Sequence, residues 1–220
     1  MIAKQLVTDE ITPLKTSNTG SDALNWMDEY KVSHLPIVNN EVFLGLISEH
    51  DIYDVNNADE PLGSHKLSLS HPYVNENDYV YDILRVMDEN KLTLIPVLDE
   101  KKNYMGCITL ESLLHFMATS FSVNNPGGVI VLELSQTDYS LTEIANIIES
   151  NDAKILSLFI TDHPDSTRLE VIIKVNKMEL GPILSTFDRY GYFVKASMGE
   201  DEDLDDLREN YDSLMNYLNI

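Results

Sequence analysis

DALNWMDEYKVSHLPIV, residues 22–38, returns as DILRVMDENKLTLIPVL, residues 82–98. The two runs stand 60 positions apart without a gap. Asp22 pairs with Asp82, Leu24 with Leu84, Met27 with Met87, Asp28 with Asp88, Glu29 with Glu89, Lys31 with Lys91 and Pro36 with Pro96. One inserted residue later, Gly45 matches Gly106, Ile47 matches Ile108 and Ser48 matches Thr109. Identity that dense marks an internal duplication, so the fold is read from the repeated unit.

Each copy predicts the same elements. Val80, Ile83, Leu84 and Met87 fall at i, i+3, i+4 and i+7, one apolar helical face. Ala23, Leu24 and Met27 supply the corresponding stripe. Asn18 and Asp78 are placed as the N-caps. Two apolar runs follow, LPIV and VFLGLI or IPVL and YMGCI, parted by polar residues. That pattern predicts a β-hairpin. A second helix starts near Ser48 or Thr109. With a short strand near Ile11 to Leu14, the unit reads β-α-β-β-α. One such unit leaves a sheet face bare, and two packed sheet against sheet bury both.

Of 220 residues 43% are hydrophobic, ordinary for a globular protein. No apolar run approaches the roughly 20 residues of a membrane span, and the first ten residues lack a signal-peptide core. The expectation is a cytoplasmic protein with no membrane contact. Fifteen basic against 37 acidic residues give a net charge of −22. That sign repels nucleic acid, whose binding relies on neutralised phosphates. One small anion is not excluded, because local amide donors outweigh a distant, screened field. Cys107 is the one cysteine, so no intrachain disulfide forms, and its apolar neighbours mark it as a core thiol.

The order of helix, hPhh strand, glycine-bearing strand and G-x-x-S/T-x-x-D at a helix start resembles the CBS domain. The first copy carries LPIV and then Gly45-Leu46-Ile47-Ser48-Glu49-His50-Asp51, the full family pattern. The second carries IPVL and then Gly106-Cys107-Ile108-Thr109-Leu110-Glu111-Ser112, with Ser112 in place of the family's Asp. The resemblance covers about residues 1–123, in units of about 1–60 and 61–123. It implies a regulatory pair that binds an adenosyl nucleotide of the AMP, ADP or ATP class. Ser48 would take phosphate and Asp51 ribose. The base pocket would lie near Ile11, Thr12 and Pro13 and beside Ile37 and Ile47. Thr109 would serve a weaker second site, and His34 and His50 could meet a phosphate. From the residues alone, Ser48 and Asp51 form a capping box. Capping and binding are compatible, since a helix start offers N–H donors to phosphate.

Asn124-Asn125-Pro126-Gly127-Gly128 is a breaker cluster and a boundary. Beyond it the pattern predicts a strand at Val129 to Leu134 and a helix with Leu141, Ile144, Ala145 and Ile148. Strands follow at Ile155 to Ile160 and Leu169 to Val175. A helix at about Glu179 to Tyr190 and a strand at Tyr192 to Ala196 complete β-α-β-β-α-β, the ferredoxin-like plan. The segment 127–198 resembles an ACT domain, which implies edge-to-edge pairing and hence a homodimer. Ser140 stands near the glycine that family uses for ligand approach. A CBS pair followed by an ACT-like domain resembles the acetoin-utilisation protein B group. In the tail, 199–220, Leu204, Leu207, Tyr211, Leu214 and Leu218 predict an acidic amphipathic helix, a docking surface for an unknown protein partner or for its own domain. The whole reads as α+β.

The sequence holds no nucleophile elbow, P-loop or HExxH. Its histidines, at 34, 50, 65, 71, 115 and 163, show no metal-ligand spacing. The reading is a sensor with no catalytic residues, no metal and no resident cofactor, the runner-up being an assembly module whose CBS pair has lost its ligand.

Overall fold

Helix, hairpin and helix form twice, and the two copies agree down to single backbone angles. The computed structural model describes residues 1–54, 57–65, 69–162 and 167–199. The chain divides into two compact units, Met1–His115 and Phe116–Ile220.

In the first unit, α1 (Gly20–Tyr30) leads to β1 (His34–Asn39), β2 (Val42–Ser48) and α2 (Glu49–Tyr53). In the second copy β3 (Val74–Asn75) and α3 (Val80–Asn90) lead to β4 (Leu94–Leu98), β5 (Tyr104–Thr109) and α4 (Leu110–Ser120). Lys31 and Lys91 end the first helices in the left-handed region, at φ 54° and 53°. Met27 and Met87, Leu35 and Ile95, and Ile47 and Ile108 are buried in register, as the apolar face requires. Both hairpins carry a bulge at one position, Ile37/Val38 and Val97/Leu98. Cys107 is fully buried, and burial pushes its thiol up to about 11.

The caps fall one residue later than the sequence suggests. Thr19 caps α1, accepting from Asp22 N–H, while the Asp22 carboxylate accepts from Thr19 N–H. That reciprocal box satisfies two amides, so it displaces Asn18, which instead accepts from Lys15 N–H. Tyr79 precedes α3 without a side-chain cap, and Asp78 holds the turn by accepting from Asn75 N–H.

The expected strand at Ile11 to Leu14 is reduced to single bridges, and its path decides where the sites lie. Thr8 bridges Cys107 of the second copy, and Leu14 then runs parallel to Ile37 of its own. The second copy repeats the exchange: Ser70 bridges Leu46 of the first copy, and Val74 runs parallel to Val97. Each entry segment therefore crosses from the other copy's hairpin to its own.

The second unit contains β6 (Val129–Ser135), α5 (Leu141–Ser150), β7 (Ile155–Asp162), β8 (Arg168–Val175), α6 (Gly181–Arg189) and β9 (Phe193–Met198). The strands form one antiparallel sheet in the order β7-β8-β6-β9. That is the ferredoxin-like plan. Alternate residues Ile130, Leu132 and Leu134 of β6 and Leu169, Val171, Ile173 and Val175 of β8 face one core. Ile144, Ile147 and Ile148 of α5 and Ile183 and Phe187 of α6 close it. The predicted α6 is two residues shorter at its start, where Leu180 turns and Pro182 occupies the first turn. The strand after it starts and ends later than predicted. The expected tail helix lies, from residue 200 on, outside the described residues.

Candidate functional site

The motif residues stand where an apolar strand turns into a helix. Ser48 ends β2 and caps α2. Its N–H donates to Asp51 Oδ2 at 2.8 Å, and its hydroxyl donates to the same oxygen at 2.7 Å. Asp51 N–H donates back to Ser48 Oγ at 3.2 Å. Both Ser48 donors use Oδ2, so the carboxylate is fixed, and among the described residues Oδ1 remains for another donor. Thr109 and Ser112 repeat the arrangement without charge. Thr109 N–H donates to Ser112 Oγ at 3.2 Å, and Ser112 N–H donates to Thr109 Oγ1 at 3.1 Å.

A cleft of about 560 Å³ opens at the second motif, lined by Thr8, Glu10, Ile11, Tyr30, Thr109, Glu111, Ser112 and His115. A smaller hollow of about 290 Å³ shares Tyr30, Thr109 and Glu111 and adds Lys31, Thr93, Leu110 and Leu114. Ile11, expected beside Ser48, thus lies with Thr109 and Ser112. The strand exchange explains it, because the segment that carries Ile11 has just left β5 at Thr8. By the same exchange, the entry segment at Ser70 is the one that leaves β2, the strand ending in Ser48. Thr12 is exposed and Pro13 half-buried. Ile37 and Ile47 are 1% and 0% exposed, so in this conformation they are core and offer no surface to a ligand.

His34 is half-buried, with Nδ1 3.2 Å from Thr93 Oγ1. Burial holds its ring below the ordinary imidazole value, against the pull of Asp51 and Glu49. His50 is exposed, 3.7 Å from Asp54. Sequence reasoning missed Glu10, Tyr30, Glu111 and His115. Glu111 lies inside the quoted motif, but the others join the cleft only through tertiary pairing.

In the second unit a cleft of about 610 Å³ borders the turn between β6 and α5, with Glu133, Asp138, Glu143, Arg168, Tyr190 and Tyr192 in its lining. Ser140, in the place of the expected glycine, caps α5 by accepting from Glu143 N–H at 3.3 Å. The Tyr192 hydroxyl donates to Glu143 at 2.6 Å, and burial together with that bond raises its pKa. Among the described residues, no group of three or more His, Cys, Asp or Glu is placed to hold a metal. Nor is any described helix long and apolar enough to cross a membrane.

The profile of the CBS domain matches residues 3–57 and 67–119, the two copies just described. These segments are a tandem CBS-domain pair. The pair is 24% identical over 113 residues to the inosine-5′-monophosphate dehydrogenase of Methanocaldococcus jannaschii, covering 51% of this chain and 23% of that protein. It is 24% identical over 119 residues to the homoserine O-acetyltransferase of Methanobrevibacter ruminantium, covering 54% and 24%. The chain thus spans about a quarter of the length of either relative. Among solved structures, a CBS domain pair/ACT domain protein of Thermotoga maritima aligns with 24% identity and a TM-score of 0.48. That alignment covers 54% of this chain and 98% of the other. The profile match to the CBS pair ends at residue 119, before the ferredoxin-like unit begins its sheet.

Proposed function

We propose that the CBS pair is a regulatory sensor that takes an adenosyl nucleotide of the AMP, ADP or ATP class at its motif helices. CBS-domain pairs are regulatory modules that often bind adenosyl ligands. The observation that carries the reading here is the fixed Asp51 carboxylate with one oxygen unspent beside a hydroxyl. A ribose diol donates to such a carboxylate, and a phosphate takes the Ser48 hydroxyl hydrogen once a ribose hydroxyl replaces it on Asp51. At the second motif Ser112 lacks the charge, and Glu10 and Glu111 supply carboxylates to the cleft instead. Its volume falls within the roughly 300–1,000 Å³ of small-molecule sites. Ile11 and Tyr30 offer the base an apolar wall and a ring, and Lys31 in the adjoining hollow offers a phosphate one cation. Occupancy is transmitted through the packing of a homodimer and read by the ACT-like unit or a protein partner.

A second reading is an assembly module without a ligand. It is favoured by the reciprocal bonds of both capping pairs, which give Ser48, Asp51, Thr109 and Ser112 a role in the fold with no ligand at all. Thermal unfolding of the full chain separates the two. A nucleotide at 100 times its Kd adds about 2.7 kcal/mol of stability, which for a chain this size raises Tm by several degrees. Unmoved melting with ATP, ADP, AMP, S-adenosylmethionine and cyclic di-AMP would leave the assembly module as the reading.

A further inference from the structure

The two motif helices are tied together through the residues that precede β1 and β4. Glu49 N–H, at the start of α2, donates to Ser33 O at 3.2 Å. Leu110 N–H, at the start of α4, donates to Thr93 O at 3.0 Å. Between them, Ser33 N–H donates to Thr93 Oγ1 at 3.0 Å. His34 joins this link through the contact of its Nδ1 with the same hydroxyl. The charged groups whose field reaches the ring are Asp51 and Glu49, both on the first motif. The equivalent residue in the second copy, Leu94, is fully buried hydrocarbon. At this one position the first copy therefore places a titratable ring where the second places hydrocarbon.

We propose that His34 is a proton-linked regulator of the site at Ser48 and Asp51, gaining a proton when a phosphate-bearing ligand occupies it. The inference rests on the nucleotide reading above. In the empty site burial disfavours the charged ring. The Thr93 hydroxyl accepts from Ser33 N–H and gives its own hydrogen to His34 Nδ1. A bound phosphate adds negative charge beside Asp51 and Glu49 and favours the imidazolium. The proton comes from solvent to Nδ1, which then donates to Thr93 Oγ1, and the hydroxyl hydrogen turns away. No covalent bond changes. Because the same hydroxyl holds Ser33 N–H and its residue holds the start of α4, the protonated ring also stiffens the link to the second motif.

Calorimetric titration of the full chain with ADP between pH 6 and 8, in buffers of different ionisation enthalpy, tests this. Wild type should take up a proton on binding, and its affinity should gain up to about tenfold per pH unit as pH falls, the slope of one linked proton. His34→Gln should lose that gain, leaving only the titration of ADP itself. Should His34→Gln fail to fold, the proton count in wild type still decides. ADP binding with no proton uptake, or with the same pH slope in His34→Gln, would overturn the linkage and leave the nucleotide reading standing. Absence of ADP, AMP and ATP binding at every pH would overturn both.

Discussion

Gly45 and Gly106 show how much one residue fixes. Both sit at φ near +145°, at 144° and 146°, inside the second strand of a hairpin. A Cβ on Gly45 would lie 2.6 Å from Leu69 Cβ, and one on Gly106 would lie 2.7 Å from Thr8 O. The glycines therefore admit the entry segment of the other copy, besides holding an angle that side chains resist. Gly45→Ala and Gly106→Ala should each cost about 1–3 kcal/mol, read as a lower urea midpoint. An unchanged midpoint would mean that the crossing segments do not press on these strands. His34 makes a prediction of opposite kind. Its folded pKa is depressed, so its neutral form contributes stability that is full above the unfolded value near 6.5. That stability is lost as pH falls through the folded value. His34→Gln should flatten the fall in stability below pH 6.5, and an unaltered pH profile would show that burial does not disfavour the protonated ring.

At the scale of elements, the helices and hairpins were legible because their signals are local. Met27 and Met87, four residues before Lys31 and Lys91, fix a helix face that needs no distant partner. The course of the entry segments was not legible. The short strand expected at Ile11 to Leu14 is held instead by isolated bridges from Thr8 to Cys107 and from Leu14 to Ile37, residues far away in sequence. The Ser48–Asp51 pair could be read from its spacing, whereas the association of Ile11 with Thr109 required the exchange to be seen. The caps show the same limit at shorter range. Asn18 and Thr19 are both good caps, and only the reciprocal bond to Asp22 chooses between them. Thr19→Ala should cost about 0.5–2 kcal/mol. Tyr79→Ala should give up no cap, since Tyr79 makes no side-chain cap bond. Equal losses on chemical denaturation would contradict the assignment.

On the scale of the whole molecule, the duplication yields one unit and the ferredoxin-like segment another. The buried core of the second unit is drawn from residues 130 to 187, with Tyr192 and Val194 packed against it. Ile173→Ala, at a fully buried position there, should cost about 2–5 kcal/mol and leave nucleotide affinity in the CBS pair unchanged. A parallel loss of affinity would show that the pair depends on the second core to bind. The central claim is that the first motif is a nucleotide site and more than a helix cap. Equilibrium dialysis of the full chain against radiolabelled AMP, ADP and ATP tests it most directly, with Asp51→Ala and Ser48→Ala in parallel and circular dichroism to verify that each variant is folded. Saturable binding of one of the three, weakened at least about tenfold in folded Asp51→Ala, is the predicted result, as expected for a lost charge-assisted contact. No saturable binding, or equal affinity in wild type and both variants, would contradict it.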